Sequence, residues 1–177
     1  MRILAVSGSL RSESHNTRLL RAAVEAAPEG VTVELWEGIG DLPLYEEELD
    51  ADGAPESVQR LREDWAAADA ILFATPEYNG SVPGGLKNAV DWASRPKGDA
   101  ALGNKTVAVV GASTGQFGAL WAQQDLRRIL GIAGARVVGE ELPVARADQG
   151  FDESVHDRLR DVLEALVLAA DSVPAAA

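Results

Sequence analysis

The chain has 177 residues, 46% apolar and 25% charged, a composition expected of a single globular domain over residues 1–177. Cysteine is absent and the only histidines are His15 and His156, which excludes disulfides, a thiol nucleophile, thiolate-bound zinc and iron–sulfur clusters and leaves no metal site expected. With 28 acidic against 16 basic residues, the formal charge of −12 argues against nucleic acid or an anionic membrane as partner.

In chain order, the first apolar run, Ile3–Ser7, is too short for a secretion signal and reads as a strand. A helix follows with Leu20, Ala23, Val24 and Ala27 on one stripe, stopped by Pro28-Glu29-Gly30. Val31–Trp36 is the second strand. The acidic connection Asp41–Ala54 reads as a solvated loop. Val58, Leu61 and Trp65 mark the next helix, entered through Pro55. Ala70–Thr75 is the third strand, Gly85–Trp92 a helix, Thr106–Gly111 the fourth strand, Leu120–Leu130 a helix and Ala135–Val138 the fifth strand. A last helix starts from Asp152 as its N-cap and carries Val155, Leu159, Val162, Leu163 and Leu166. Residues 173–177 are expected to fray. No stretch reaches the roughly 18 apolar residues of a membrane span, and a soluble, cytoplasmic protein is expected.

Most of the strand runs are continuously apolar, the pattern of strands covered on both faces. Alternation with helices then predicts an α/β fold: a doubly wound, five-stranded parallel sheet with helices on both faces. Such sheets bind ligands beyond the carboxyl ends of their strands, which directs attention to the loops after strands one, three and four.

The first loop, Ser7–Thr17, gathers Ser9, Arg11, Ser14, Asn16 and Thr17 just before a helix. Free amides and the helix dipole make that an anion site, with Arg11 as a fork for phosphate; the alternative is a plain turn whose Ser and Asn cap the helix. It matches neither the Walker loop nor the G-x-G-x-x-G fingerprint. The second loop, Thr75–Gly85, has two prolines and three glycines, a rigid backbone that a planar ring can approach closely. Tyr78 reads either as part of that wall or as a partly buried plug. The third loop, Gly111–Gly118, contains Gly111-Ala112-Ser113-Thr114-Gly115, a G-x-S-x-G turn that brings in a serine hydrolase with Ser113, then Asp148 or Asp152, then His156. Against it, His156 sits inside the last helix and no HGGG-type loop follows a strand. Arg95 and Lys97, past the Gly85–Trp92 helix, read as solvated cations or as a site for a 2′-phosphate.

Gly8-Ser9-Leu10-Arg11 with Ser14-His15-Asn16 resembles the phosphate loop of the NADPH-dependent FMN reductases, a flavodoxin-like family that includes quinone, chromate and azo-dye reductases. Pro76-Glu77-Tyr78-Asn79-Gly80-Ser81-Val82-Pro83-Gly84, with Leu86-Lys87-Asn88-Ala89 and Asp91-Trp92, resembles that family's longest signature. Leu42-Pro43-Leu44-Tyr45 and Ser113-Thr114-Gly115 fall where it has similar stretches. The resemblance implies strand order 2-1-3-4-5 and FMN at the strand-end edge. Its phosphate is then expected among Ser9, Arg11, Ser14, Asn16 and Thr17. Its ring and ribityl chain are expected along Pro76, Glu77, Tyr78, Asn79 and Gly80, with Ser113 closing the other side. It also implies NADPH or NADH as hydride donor, a second small-molecule acceptor served in ping-pong order, no catalytic acid or base, and a homodimer or homotetramer. Ala119 and Trp121 stand where the family often has a glycine and an arginine. A flavodoxin-type electron carrier and a flavin-free module of the same fold are the other readings.

Overall fold

The computed structural model describes residues 1–172, so the expectation for 173–177 falls outside the described residues. Its strands are β1 (Arg2–Ser7), β2 (Thr32–Trp36), β3 (Ala70–Ala74), β4 (Thr106–Ala112), β5 (Arg136–Val137) and β6 (Leu142–Val144). Its helices are α1 (His15–Glu25), α2 (Glu47–Ala51), α3 (Glu56–Ala67), α4 (Gly84–Ala93), α5 (Leu120–Ile132) and α6 (Glu153–Asp171). All pairings between the strands are parallel, in the order β2-β1-β3-β4-β5. That is the flavodoxin-like order, with the reversal point between β1 and β3.

Every residue of β3 and β4 is buried, as their unbroken apolar runs predict for strands with helices on both sides. β2 is an edge strand, and its exposed Thr32 and Glu34 alternate with buried Val33. On one face α1 and α6 bring Leu19, Leu20, Leu159, Leu163 and Leu166 against Ile3, Leu72 and Val110. On the other, α3, α4 and α5 bring Leu61, Trp65, Leu86, Trp92 and Leu126 against Leu4, Ile71 and Phe73. Each large apolar side chain fully buried in these layers contributes about 1.5–3 kcal/mol.

The helix starts follow the expected chemistry. Ser14 caps α1 by accepting from the Thr17 amide at 3.2 Å, and Asp152 caps α6 by accepting from the Val155 amide at 3.1 Å. The Ser154 hydroxyl and the Val155 amide hold the Asp152 carboxyl below its ordinary range. Pro83 precedes α4, and Asn88 and Trp92 of that helix both donate to the Pro43 carbonyl at 2.8 Å. The Asn88 and Trp92 side chains of the long signature thus dock the connection after β2.

Two expectations need correction. The acidic connection Asp41–Ala54 is only partly loop: it contains α2, and Asp50 accepts from half-buried Arg62 at 2.8 Å. The fifth sheet position is also broken in two. β5 pairs with the start of β4, Gly139 turns with φ +65°, and β6 pairs with Val110–Ala112. β6 escaped the sequence reading because Leu142-Pro143-Val144 is short and centred on a residue with no N–H, which an edge strand tolerates.

Candidate active site

The loop after β1 leaves the sheet at Gly8, whose amide donates to the Ala74 carbonyl at 2.8 Å. Leu86 Cδ2 would lie 2.7 Å from any Cβ here, so a larger residue would have to displace the Leu86 side chain. Thr17 donates to Ser7 Oγ at 2.9 Å, and the Ser9 and Arg11 amides donate to Ser7 Oγ and Ser9 Oγ. Among the described residues the amides of Ser12, Glu13 and Ser14 meet no protein acceptor. They run directly into the positive end of α1. Arg11 is exposed, and its guanidinium folds back to donate to the Glu13 carbonyl. Beside this loop lies a cavity of about 270 Å³, lined by Ser9, Arg11, Ser12, Thr17 and Arg21, with Gly38 past β2 as part of its far wall.

Asn16 sits in this loop's helix but faces inward. It is 3% exposed; its Nδ2 donates to the Ala112 carbonyl at 3.0 Å and its Oδ1 accepts from the Ala112 amide at 2.9 Å. That pair of bonds ties the start of α1 to the end of β4. Ser14, 2% exposed, is likewise engaged through its hydroxyl as the cap of α1.

After β3, Thr75 and Pro76 are buried and the chain reaches the surface at Tyr78. Tyr78 and Ser81 exchange two backbone hydrogen bonds, of 3.0 and 3.2 Å, around Asn79 and Gly80 with φ of +53° and +77°. An Asn-Gly pair with both φ positive is the tight hairpin turn of the primed type. Two side chains brace this turn on α5: Glu77 Oε2 accepts from the Ala122 amide at 3.2 Å, and Ser81 donates to Asp125 at 2.7 Å. Tyr78 is 53% exposed, so it does not plug the loop. No protein acceptor among the described residues meets the amides of Asn79 and Gly80, and nothing stands within 4 Å of the position of a Gly80 Cβ.

The loop after β4 is stitched to β6. The Ser113 amide donates to the Val144 carbonyl at 3.0 Å and the Arg146 amide to the Gly115 carbonyl at 3.2 Å. Gly118, φ +58°, passes so close to the backbone of β6 that a Cβ would lie 2.5 Å from Val144 N. Fully buried Gln123 completes the seam, donating to the Gly118 carbonyl at 3.1 Å and accepting from the Leu142 amide at 2.9 Å. Ser113 Oγ has no imidazole partner among the described residues. His156 Nδ1 is engaged with the Asp152 carbonyl at 2.8 Å and His15 Nδ1 lies 3.4 Å from Arg18, so the parts of a hydrolase triad are not assembled.

Residues 1–149 match the family described as NADPH-dependent FMN reductase. An NAD(P)H-dependent FMN reductase of Pseudomonas aeruginosa is 42% identical over 168 residues, 93% of this chain and 90% of that protein. A quinone reductase of Pseudomonas putida gives the same figures. In structure, the flavoenzyme NAD(P)H:(acceptor) oxidoreductase FerB of Paracoccus denitrificans superposes with a TM-score of 0.83 at 37% identity, covering 96% of this chain and 97% of FerB.

The chain belongs to the NADPH-dependent FMN reductase family.

It is an oxidoreductase of that family, working with FMN and a nicotinamide dinucleotide. The residues present fit an FMN. Unpaired amides at the start of α1 and a loose guanidinium suit a phosphate, and the open Asn79–Gly80 turn suits the edge of a flat ring. Arg21 and Gly38, which share the cavity beside the first loop, carry no signal in the sequence: Arg21 lies on the charged side of α1 and Gly38 follows the neighbouring strand. Arg95 and Lys97 lie elsewhere. They follow α4 and precede β4, so the crossover places them at the amino edge of the sheet, where they line a separate hollow with Gln59 and Asn104. Both are exposed, and a 2′-phosphate role at the strand-end site is set aside.

Proposed function

We propose that this reductase holds FMN across the three strand-end loops and uses it to pass electrons from NAD(P)H to a small planar acceptor of the quinone class. The reductant gives up hydride and becomes NAD(P)⁺; the quinone, with two electrons and two protons, becomes hydroquinone. When bound, FMN supplies the ring that receives the hydride and releases the electron pair, so one open face can serve donor and acceptor in turn. The observation that carries this reading is the Asn79–Gly80 turn, braced on α5 by Glu77 and Ser81 with its amides unpaired.

Each residue then has a stated task. Ser9 and Thr17, with the amides of Ser12 to Ser14, receive the phosphate, and Arg11 leaves the Glu13 carbonyl to pair with it. Asn16 and Ser14 position this loop through their own hydrogen bonds. Pro76 and Tyr78 would flank the ring, and the Asn79 and Gly80 amides would donate to its edge and stabilise negative charge there. Ser113 closes the opposite side. No side chain is needed as acid or base for hydride transfer. The assembly is a homodimer or homotetramer acting in the cytoplasm, where reduced nicotinamide is available; sedimentation velocity reads the stoichiometry.

The test is anaerobic addition of NADPH, then NADH, to the FMN-loaded protein while the flavin absorbance is followed. Rapid bleaching, reversed by a quinone, is the expected result. FMN that binds but stays oxidised with both dinucleotides would make the protein an electron carrier, and a protein that does not retain FMN would overturn the reading.

A further inference from the structure

Phe117 and Trp121 form a pair with ring centroids 4.7 Å apart and planes tilted by 51°, and each is 47% exposed. The contrast with the other tryptophans is sharp: Trp36 is 7% exposed, and Trp65 and Trp92 are fully buried. An exposed aromatic pair is costly to leave in water without a use. Its position is fixed from three sides. The Leu120 amide donates to the Phe117 carbonyl at 3.0 Å, Gly118 is wedged against β6, and Ala119 starts α5 in the left-handed region with φ +62°.

Trp121 shares a helix face with Asp125, four residues on, and Asp125 holds Ser81 of the Asn79–Gly80 hairpin. The neighbouring Ala122 amide holds Glu77. Long helical side chains lean toward the helix N-terminus, so the indole leans from the braced face toward the carboxyl edge of the sheet, where Phe117 meets it. The pair therefore borders the proposed ring wall, and Tyr78, the third large exposed aromatic of these loops, stands on the hairpin.

We propose that Phe117 and Trp121 form the outer wall of the acceptor subsite and determine specificity by stacking on a planar, electron-poor ring such as a quinone. This rests on the function proposed above. The indole face is electron-rich, so it favours an oxidised quinone over the electron-rich dihydronicotinamide of the reductant. The wall offers two ring faces and a single indole N–H, so its selectivity is chiefly for ring shape: quinones over compact acceptors such as ferricyanide.

The experiment uses the FMN-loaded protein with a water-soluble naphthoquinone, ferricyanide and NADPH. Trp121→Ala raises KM for the naphthoquinone about tenfold, with kcat, KM for ferricyanide and KM for NADPH unchanged; Trp121→Phe restores the quinone KM to within about twofold. A second readout needs no turnover. Without NADPH, the naphthoquinone quenches wild-type tryptophan emission saturably, and this saturable part disappears in Trp121→Phe because the remaining tryptophans are buried. An unchanged quinone KM in Trp121→Ala overturns the proposal. So does an equal rise for all three substrates, a rise for NADPH alone, or a change in sedimentation without a change in quinone KM, which would make the pair a subunit contact. If the wild type neither bleaches with NADPH nor reduces quinone, the proposed function fails. Quenching then decides this proposal separately: saturable loss at Trp121 upholds ring binding, and its absence overturns it.

Discussion

The two halves of the sheet's carboxyl edge are built on opposite plans. The loops after β3 and β4 are cross-braced: Glu77 and Ser81 hold α5, Ser113 holds β6, and Gln123 closes the seam between α5 and β6. In the loop after β1 the amides of Ser12, Glu13 and Ser14 have no protein acceptor among the described residues, and the cation, Arg11, is parked on the loop's own backbone. On the function proposed above, the ring would meet a surface fixed in advance, since stacking and amide donation depend on geometry. The phosphate would meet charge and many donors, which tolerate local adjustment. Asn16 joins the two halves through Ala112.

This contrast is tested most strongly on the braced side. Gly118→Ala forces a Cβ against the β6 backbone at a positive φ, and a loss of about 3 kcal/mol in urea unfolding is expected. An unchanged midpoint would mean the seam yields freely. Asn16→Ala leaves the Ala112 amide and carbonyl unpaired in a buried position, for a loss of about 2–4 kcal/mol. If its melting temperature matches the wild type, the two halves are not coupled through this residue.

On the loose side the effect moves from folding to binding. Arg11→Ala raises the FMN dissociation constant about 10- to 100-fold, measured by flavin fluorescence, and leaves the melting temperature of the FMN-free protein unchanged. Equal affinity would remove Arg11 from the phosphate site. Glu77→Ala costs about 1 kcal/mol by unpairing the Ala122 amide near the start of α5, with Glu77→Gln in between. The smallest change is expected from Ala119→Gly. Relief at φ +62° and loss of a buried methyl oppose each other, leaving calorimetric stability within about 1 kcal/mol of wild type. A gain beyond that would show that the left-handed alanine stores strain in the seam.

The sequence made the fold legible because its signals were local. Continuous apolar runs at Ala70–Thr75 and Thr106–Gly111 specified buried strands, and Asp152 marked the start of the last helix through its carboxylate cap. The three loops were legible as well, since Ser, Arg, Pro and Gly each constrain the backbone or carry donors wherever they stand. The division of labour within those loops was not. Nothing in the order of residues distinguishes Arg11, whose side chain is exposed, from Asn16, whose amide is buried against β4. Nor did Gln123 carry any signal in a helix of ordinary amphipathic pattern, because its partners lie on Gly118 and Leu142.

By itself, then, the sequence determined the layered parallel sheet and the residue types gathered in the loops at its carboxyl edge, both of which follow from periodicity and residue type. Only the tertiary structure decided which side chains are spent on bracing and which face outward. It split the last sheet position into β5 and β6, sent Arg95 and Lys97 to the opposite edge and left Phe117 and Trp121 paired and exposed. Those outcomes depend on contacts between residues far apart in the chain, whose distances and directions exist only once the crossovers have closed.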